Sequence, residues 1–285
     1  MVDHIKQAAS AIKNAKALLI TTGAGMGVDS GLPDYRGPEG LWKAYPPIKE
    51  RGLTLPEMST PSWFEDDPQF AWGFFGHRIK LYRTTQPHDG FEILKKWGEK
   101  MECGYFVYTS NVDGQFQKAG YDKYRIVECH GSLQFLQTIN GDESIWATPE
   151  ELDLVIDHKT LKAQPPLPTG PPGAPSANQM LARPNVLLFN DLWWVTDRTD
   201  KQLSRLWPWL ENVRNQPLVV VEIGAGLVIP TVRHFSEETV ENSTNENTRL
   251  IRINPNDPQV RRSVDIPLSM TGLEALKRID ECIKA

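Results

Sequence analysis

The sequence predicts an α/β protein built on a doubly wound parallel sheet, and three observations support this prediction. Several short apolar runs are continuous rather than alternating, which is typical of parallel strands that helices cover on both faces. Stretches with helical spacing lie between several of these runs, as in βαβ units. Two of the runs lead directly into glycine turns. The expected fold is therefore Rossmann-like, and 285 residues leave room for a small inserted module.

The elements follow from the spacing of apolar residues along the chain. A helix is expected over residues 3–16, because their apolar side chains recur on one face. Further helices are expected at 90–100 and 201–214. The predicted strands are 17–21, 105–109, 126–128, 186–189, 218–223 and 250–253.

Two regions depart from this alternation. Residues 31–90 are rich in proline, glycine and tryptophan, and we expect helices and loops that cover a cleft within 38–90. Residues 165–175 contain six prolines, which excludes a helix or a central strand there. We therefore divide the chain into a Rossmann-like domain, residues 1–132 and 186–285, and a small inserted module, residues 133–185.

Composition narrows the class of protein. The net charge of -5 gives no positive field for a phosphate backbone, so we expect no direct nucleic-acid partner. No apolar run approaches the roughly 20 residues that span a bilayer, and the first residues do not resemble a signal peptide. A cytoplasmic protein without membrane contact is expected. Three scattered cysteines argue against a disulfide framework and exclude a four-cysteine zinc site.

Two glycine turns follow predicted strands. The first contains Gly23, Gly25 and Gly27, and the second contains Gly224 and Gly226. Both can face the carboxyl edge of a parallel sheet, where such folds bind nucleotides, although either alone could be an ordinary tight turn. The first lacks the G-x-G-x-x-G spacing and the later acidic residue of a dehydrogenase, so hydride transfer is the weaker alternative.

Polar side chains follow the same strand ends. Asp34 and Arg36 come after the first glycine turn, Asn111 and Asp113 follow residues 105–109, and His130 follows residues 126–128. Any one of them could cap a turn or be a half-buried side chain. Together they predict one site, because the carboxyl ends of parallel strands meet at one edge. Histidine suits a catalytic base there, because its unperturbed pKa lies close to neutral pH.

Five segments carry a resemblance to a known family, in its order and roughly its spacing. They are GAGMGVDSGLPDYRG at 23–37, TSNVDGQFQKAG at 109–120, ECHGS at 128–132, VEIGAGLVIP at 221–230 and LIRIN at 250–254. Together they resemble the sirtuins, the NAD-dependent protein deacylases.

The resemblance implies NAD as co-substrate, cleaved at its nicotinamide–ribose bond. His130 would act as the base and Asn111 would orient the ribose and a water, while Asp113 would hold the carboxamide. The products would be free lysine, nicotinamide and O-acyl-ADP-ribose. The implied NAD-binding residues are Gly23, Ala24, Gly25, Asp34, Tyr35, Arg36, Ser110, Asn111, Asp113, His130, Gly224, Ala225, Gly226 and Asn254.

The sequence also departs from the family. Residues 133–185 contain none of the four cysteines that bind its structural zinc, so we expect no zinc and assign no metal ligand. The module would then fold by packing of Trp146, Leu152 and Val155. On the acceptor side, two tryptophans replace a Leu-Pro pair. The expected substrate-binding residues are Phe189, Asn190, Asp191, Val228 and Ile229.

Three functions fit these observations. The first is an NAD-dependent deacylase acting on an acyl-lysine protein or peptide. The second is an NAD hydrolase or ADP-ribosyltransferase that passes ADP-ribose to water or another acceptor, which the altered acceptor segment favours. The third is a non-catalytic nucleotide-binding module.

Overall fold

The computed structural model describes residues 2–35, 37–142, 144–173 and 179–285, with the backbone alone for residues 2 and 37–39. The elements that build the large sheet and its cover are α1 Val2–Asn14, β1 Ala17–Thr22, α8 Asp89–Lys100, β2 Tyr105–Thr109, β3 Ile126–Glu128, α10 Asp197–Val213, β10 Leu218–Ile223, α11 Thr231–Asn242, β11 Arg249–Ile253, β12 Ile266–Leu268 and α12 Gly272–Lys284. The remaining elements are α2 Gly25–Val28, α3 Gly37–Ala44, α4 Pro46–Glu50, α5 Leu55–Met58, α6 Trp63–Asp66, α7 Pro68–Thr84, α9 Gln115–Lys118, β4 Gly131–Thr138, β5 Ile145–Ala147, β6 Ile156–Asp157, β7 Lys162–Ala163, β8 Thr169–Gly170 and β9 Met180–Val186.

The large sheet has six parallel strands in the order β12-β11-β10-β1-β2-β3. The chain builds outward from β1 to β3 on one side, and later builds from β10 to β12 on the other. Alternate residues of β1 enter different cores: Leu18 and Ile20 pack with α1, α8 and α12, and Leu19 packs with α10 and α11. Helices thus cover both faces, and the predicted doubly wound α/β fold is confirmed.

A second, antiparallel sheet has the order β5-β4-β9-β8. Its core lies against α7, where the indole of the fully buried Trp72 donates to the carbonyl of Ala182 on β9 (3.0 Å). Trp146 and Leu152 pack at the margin of this core, as expected. The expectation for Val155 was wrong, because its side chain is 63% exposed.

The proline-rich stretch contributes only the two-residue strand β8 at the edge of this sheet, so its exclusion from a central strand holds. Residues 174–178 lie outside the described part of the chain. Within the described ranges, no helix is both long and apolar enough to cross a membrane.

The predicted parallel strand at 186–189 was wrong. Val186 ends β9 of the antiparallel sheet, and the chain then leaves the ladder. The backbone N–H of Phe189 donates to the carbonyl of Ser59 (2.9 Å), and that of Leu188 donates to the Asp191 carboxylate (3.3 Å). The sixth parallel strand is instead β12, which was not predicted.

Candidate active site

The strands of the large sheet end level with one another. Thr22 on β1 lies opposite Ile223 and Thr109, and the register continues to Glu128 on β3 and Ile253 on β11. The next residue of each strand therefore lies in one row along the carboxyl edge. That row, in sheet order, is Asn254, Gly224, Gly23, Ser110 and Cys129.

The two glycine turns contact each other in the middle of this row. The Gly25 N–H donates to the Gly224 carbonyl (3.1 Å), and the Gly23 N–H donates to that of Ile223 (3.0 Å). A Cβ on Gly25 would lie 2.6 Å from the Gly224 Cα, and Gly224 has a φ of +63°. Glycine is therefore required for the turns to pack. They meet between β1 and β10, where the direction of winding reverses, which is where open α/β sheets bind ligands.

This contact corrects part of the sequence interpretation. Because the amides of Gly23 and Gly25 donate within the protein, they do not face an anion. The amides of Ala24, Ala225 and Gly226 donate to no acceptor among the described residues. These three N–H groups are the donors that the paired turns leave without a partner among the described residues.

Asn111 is attached to the first glycine turn. Its Nδ2 donates to the Gly23 carbonyl (3.0 Å), and its backbone N–H donates to the Thr109 hydroxyl (3.0 Å). The N–H of Ser110 donates to the Thr22 carbonyl (3.1 Å). The end of β2 is thus held against the end of β1, with the half-buried Asn111 between them.

Asp113 is a half-buried residue two positions further on. Its Oδ1 accepts the N–H of Gln115 (2.9 Å) at the start of α9. The pKa of Asp113 is raised to about 6, chiefly by burial; the hydrogen bond from Gln115 and the Arg78 guanidinium oppose the rise, and the nearby Glu128 adds to it. At neutral pH the carboxylate form predominates, so Asp113 can accept a hydrogen bond from a ligand.

His130 lies between β3 and β4, half-buried, and its ring makes no hydrogen bond to any described residue. Burial lowers the pKa of His130, so the imidazole is neutral at neutral pH. A neutral ring with no protein partner can accept a proton, as a base must.

Tyr35 follows the half-buried Asp34 and is itself buried in a left-handed conformation with a φ of 50°. Its hydroxyl lies 3.2 Å from that of Tyr45, which lies 2.9 Å from Nδ1 of His77. The ring is thus anchored from α7. Arg36 lies outside the described residues.

Sequence reasoning missed two residues of α7 that border the site. The Arg78 guanidinium donates to the Tyr82 hydroxyl (2.8 Å) and lies over the Tyr35 ring, 5.2 Å from its centre. Electrostatic interactions link both side chains to Asp113. The signal in the sequence was an arginine, Arg78, that closely follows the aromatic residues of 70–75.

The side chain of Asn254 is used in hydrogen bonds within the protein. Its buried side chain donates to the Ala225 carbonyl (2.9 Å) and accepts the N–H groups of Asn256 and Asp257 (3.0 Å each). It ties the end of β11 to the second glycine turn. A direct contact between Asn254 and the nucleotide stays a prediction.

The five residues assigned to the acceptor differ in accessibility. Val228 is 92% exposed, Ile229 and Asn190 are exposed, and Phe189 is half-buried. The Asp191 side chain is fully buried in an ion pair with Arg183. The side chain of Asp191 is therefore not available to a substrate. Any substrate contact at this position would be made by its backbone.

The described residues contain no group of three histidine, cysteine, aspartate or glutamate side chains placed to hold a metal ion. The expectation that the protein needs no zinc stays a prediction.

Comparison with known proteins agrees with this geometry. The model of the Sir2 family matches residues 23–204. An NAD-dependent protein deacylase of Aquifex aeolicus is 26% identical over 94% of this chain and 95% of that protein. An NAD-dependent protein deacetylase of Saccharolobus solfataricus is 38% identical over 40% of this chain and 41% of that protein. A Sir2 homologue–NAD complex superposes with a TM-score of 0.68 at 21% identity, covering 97% of this chain and 93% of that one. The family match covers more than half of the sequence, and the chain belongs to the Sir2 family.

Proposed function

We propose that this protein is an NAD-dependent protein lysine deacylase, which cleaves NAD to nicotinamide and passes the acyl group to ADP-ribose. The observation that carries the proposal is the level row of strand ends, which brings the glycine turns, Asn111, Asp113 and His130 to one edge. The relatives with the names NAD-dependent protein deacylase and deacetylase support the same activity.

The residues present fit NAD. The paired glycine turns form a cradle that a Cβ at Gly25 or Gly224 would force apart, since each would lie 2.6 Å or less from the backbone of the opposite turn. The free amides of Ala24, Ala225 and Gly226 would bind the pyrophosphate oxygens. Asp34, Tyr35, Arg36 and Ser110 complete the proposed NAD-binding set, with Asn254 supporting the adenosine end.

Two side chains would hold the reacting end. Asp113 would accept a hydrogen bond from the nicotinamide carboxamide, and Asn111, fixed through Gly23, would orient the ribose. NAD supplies an activated C1′–nicotinamide bond, whose cleavage leaves a sugar centre resembling that in glycoside hydrolysis. The acyl-lysine carbonyl oxygen would attack this centre.

His130 would take up a proton from a ribose hydroxyl, so that the hydroxyl oxygen can attack the acyl carbon. Its lowered pKa keeps the ring neutral and ready to accept that proton at neutral pH. No other described side chain occupies its ring nitrogens, so the proton can be accepted without breaking an existing bond.

The test uses the whole protein with NAD and lysine peptides carrying several acyl groups. We expect nicotinamide and O-acyl-ADP-ribose in equal amounts. His130→Ala should lower the rate at least 100-fold, the ordinary contribution of a general base being about 10²- to 10⁴-fold. His234→Ala, on an exposed position of α11, is the matched control and should keep the wild-type rate. Undiminished activity in His130→Ala would refute the assignment of the base.

A second function, NAD hydrolysis or ADP-ribosyl transfer, is favoured by one observation. The segment that would pair with an acyl peptide is not a strand, and its Leu192 and Trp193 are 87% and 57% exposed. Nicotinamide release without any peptide would support this alternative. Release that strictly requires an acyl peptide would exclude hydrolysis.

The remaining proposals concern organisation and location. We propose an inserted module at 133–185, since the antiparallel sheet is formed between β4 and β9. We also propose a cytoplasmic protein whose partner is an acyl-lysine protein rather than nucleic acid.

A further inference from the structure

A buried ion pair joins the segment of residues 187–195 to β9, and the mechanism proposed above does not use it. Nη1 and Nη2 of Arg183, on β9, donate to Oδ2 and Oδ1 of Asp191 at 2.7 and 2.9 Å. Both side chains are completely buried. This planar, two-bond pairing fixes direction as well as distance.

The same carboxylate closes a turn of the backbone. Asp191 also accepts the N–H of Leu188 (3.3 Å) and that of Trp193 (3.0 Å). Asn190, between them, has a φ of 58°, a left-handed conformation that asparagine adopts more readily than most residues. The carboxylate therefore closes a turn that the ion pair ties to β9.

Two buried amides hold the other end of the segment. Gln137 on β4 accepts the N–H of Val195 (3.1 Å) and donates to the carbonyl of Trp193 (2.7 Å). Asn185 on β9 donates to Gln137 and to the carbonyl of Val195 (2.9 Å each). The backbone of the segment is thus attached to both central strands of the small sheet.

The segment begins beside the proposed base. The N–H of Leu187 donates to the carbonyl of His130 (3.0 Å). Gly131, which follows His130 in the chain, packs so closely against β9 that a Cβ there would lie 2.1 Å from the Asn185 carbonyl oxygen. A shift of the segment would therefore shift the backbone of His130.

The segment is fixed on its inner side by these hydrogen bonds and by the buried Leu188 and Val195, while its exposed side is apolar. Leu187, Leu192 and Trp193 are exposed. Leu192 and Trp193 are consecutive in the chain, and contiguous exposed apolar patches usually mark a binding surface.

Stability alone does not account for the ion pair. Burying two charges removes them from water, and the attraction between them often does no more than offset that loss. Nε of Arg183 and Oδ1 of Asn185 also have no partner among the described residues. A fixed geometry explains an arrangement that is poorly optimised for stability.

We propose that Arg183 and Asp191 are positioning residues. With Gln137 and Asn185, they hold residues 187–195 as a rigid apolar face that receives the acyl-lysine acceptor beside His130. We call these four residues the clamp. The identity of the acceptor rests on the function proposed above, whereas the clamp rests on the contacts of this segment.

The test replaces the ion pair by apolar side chains of similar size, Arg183→Met with Asp191→Leu, which buried sites often tolerate. Freeing the segment lowers the fraction of molecules competent for the acceptor. If that fraction falls to about a tenth, the peptide KM rises about tenfold. The Kd for NAD should change far less than the peptide KM, because the paired glycine turns lie outside this segment. Arg183→Lys should give an intermediate KM, because lysine keeps the charge but not the two parallel bonds.

A matched control lies at the opposite edge of the large sheet. Arg262 pairs with Asp265 through two bonds (2.6 and 2.9 Å), and Asp265 accepts the N–H of Leu250 (2.9 Å), near the amino end of β11. Arg262→Met with Asp265→Leu should lower the melting temperature and leave the peptide KM unchanged. A KM that stays at the wild-type value in the Arg183–Asp191 variant, or rises equally in the control, overturns the proposal.

Amide hydrogen exchange separates this inference from the proposed function. Leu188 and Trp193 should exchange faster in the Arg183–Asp191 variant than in the wild type, while β10 should be unchanged. Unchanged exchange overturns the clamp. If the wild type turns over no acyl peptide, the proposed function and the acceptor assignment fail, and the exchange result still decides whether the pair holds the segment.

Discussion

Burial acts on the two reacting side chains in a complementary way. It disfavours the charged form of both, so it lowers the pKa of His130 and raises that of Asp113. At neutral pH Asp113 is ionised and His130 is neutral, which is the pair of forms that the mechanism requires. Activity should therefore fall on the acid side as the pH drops through about 6.

Asp113 also links function to stability. Because its pKa is higher in the folded protein than in the unfolded chain, the folded state binds this proton more tightly. Ionisation of Asp113 therefore destabilises the fold, fully above about pH 6 and not at all below about pH 4, the usual range of a free aspartate.

Asp113→Asn should stabilise the protein and reduce its activity. At neutral pH we expect a gain on the order of 2 kcal/mol in the free energy of unfolding, since one pKa unit corresponds to about 1.4 kcal/mol. The gain should vanish near pH 4. Denaturant unfolding at the two pH values and the rate of nicotinamide release measure both effects.

Asp153→Asn provides the comparison, because Asp153 is exposed and forms an ion pair with Lys80 at the surface. Its effect on stability should stay within about 1 kcal/mol at either pH. A destabilised Asp113→Asn protein at neutral pH would contradict the raised pKa.

At the scale of elements, the contact between the glycine turns determines the site. Residues 23–25 and 224–226 come from strands that are adjacent in the sheet and distant in the chain. Their backbones touch, so neither turn can move without the other. The cradle for NAD is therefore a property of the pair of turns.

Gly224→Ala tests that contact. The added Cβ would lie 2.4 Å from the Gly25 Cα, so the turns must separate, and we expect NAD affinity to fall at least tenfold. Gly52→Ala is the matched control, because Gly52 has nearly the same φ, +67° against +63°, but faces open space.

Gly52→Ala should lower the free energy of unfolding by only about 1 to 2 kcal/mol, because alanine disfavours a left-handed conformation by that amount. Its NAD affinity should stay at the wild-type value. Titration calorimetry with NAD and thermal unfolding compare the two variants. Equal NAD affinity in both would show that the packing of the turns does not support the site.

The sequence predicted the parallel strands and the site edge because both depend on local pattern. Continuous apolar runs identified five of the six strands, and parallel strands place their carboxyl ends together wherever the helices lie. The run at 186–189 was misassigned because apolar content does not show which hydrogen bonds a backbone makes. β12 was missed because three residues with a central proline give too short a signal.

The pairing of distant side chains could not be predicted in this way. Asp191 was expected to bind the substrate and Arg183 was not singled out, and their burial as an ion pair depends on how β9 packs. The same holds for Arg78, whose approach to Asp113 depends on the position of α7. The structural use of Asn254 follows from the closeness of the second glycine turn.

At the scale of the whole molecule, two hydrophobic cores flank the large sheet and a third joins α7 to the small sheet. Trp72 is fully buried in the third core and also donates to Ala182. Its side chain thus connects the covering helices of residues 37–84 with the antiparallel strands.

Trp72→Ala should destabilise the protein by about 3 to 5 kcal/mol, the usual cost of removing a buried tryptophan. Trp207→Ala, at an exposed position of α10, should change the free energy of unfolding by about 0.5 kcal/mol or less. Denaturant unfolding followed by circular dichroism measures both. Similar losses in the two variants would refute the third core.

The position of β1 in the sheet has a consequence for synthesis of the chain. β1 is made well before its partner β10, which begins at Leu218, about 200 residues later. Because synthesis adds about 5 to 20 residues per second, one edge of β1 stays unpaired for roughly 10 to 40 seconds until β10 is made. During that interval its apolar residues 17–20 present an unpaired strand edge, which is the kind of surface that aggregates or recruits chaperones. A nascent chain stalled before residue 218 should therefore be far less soluble than the finished protein.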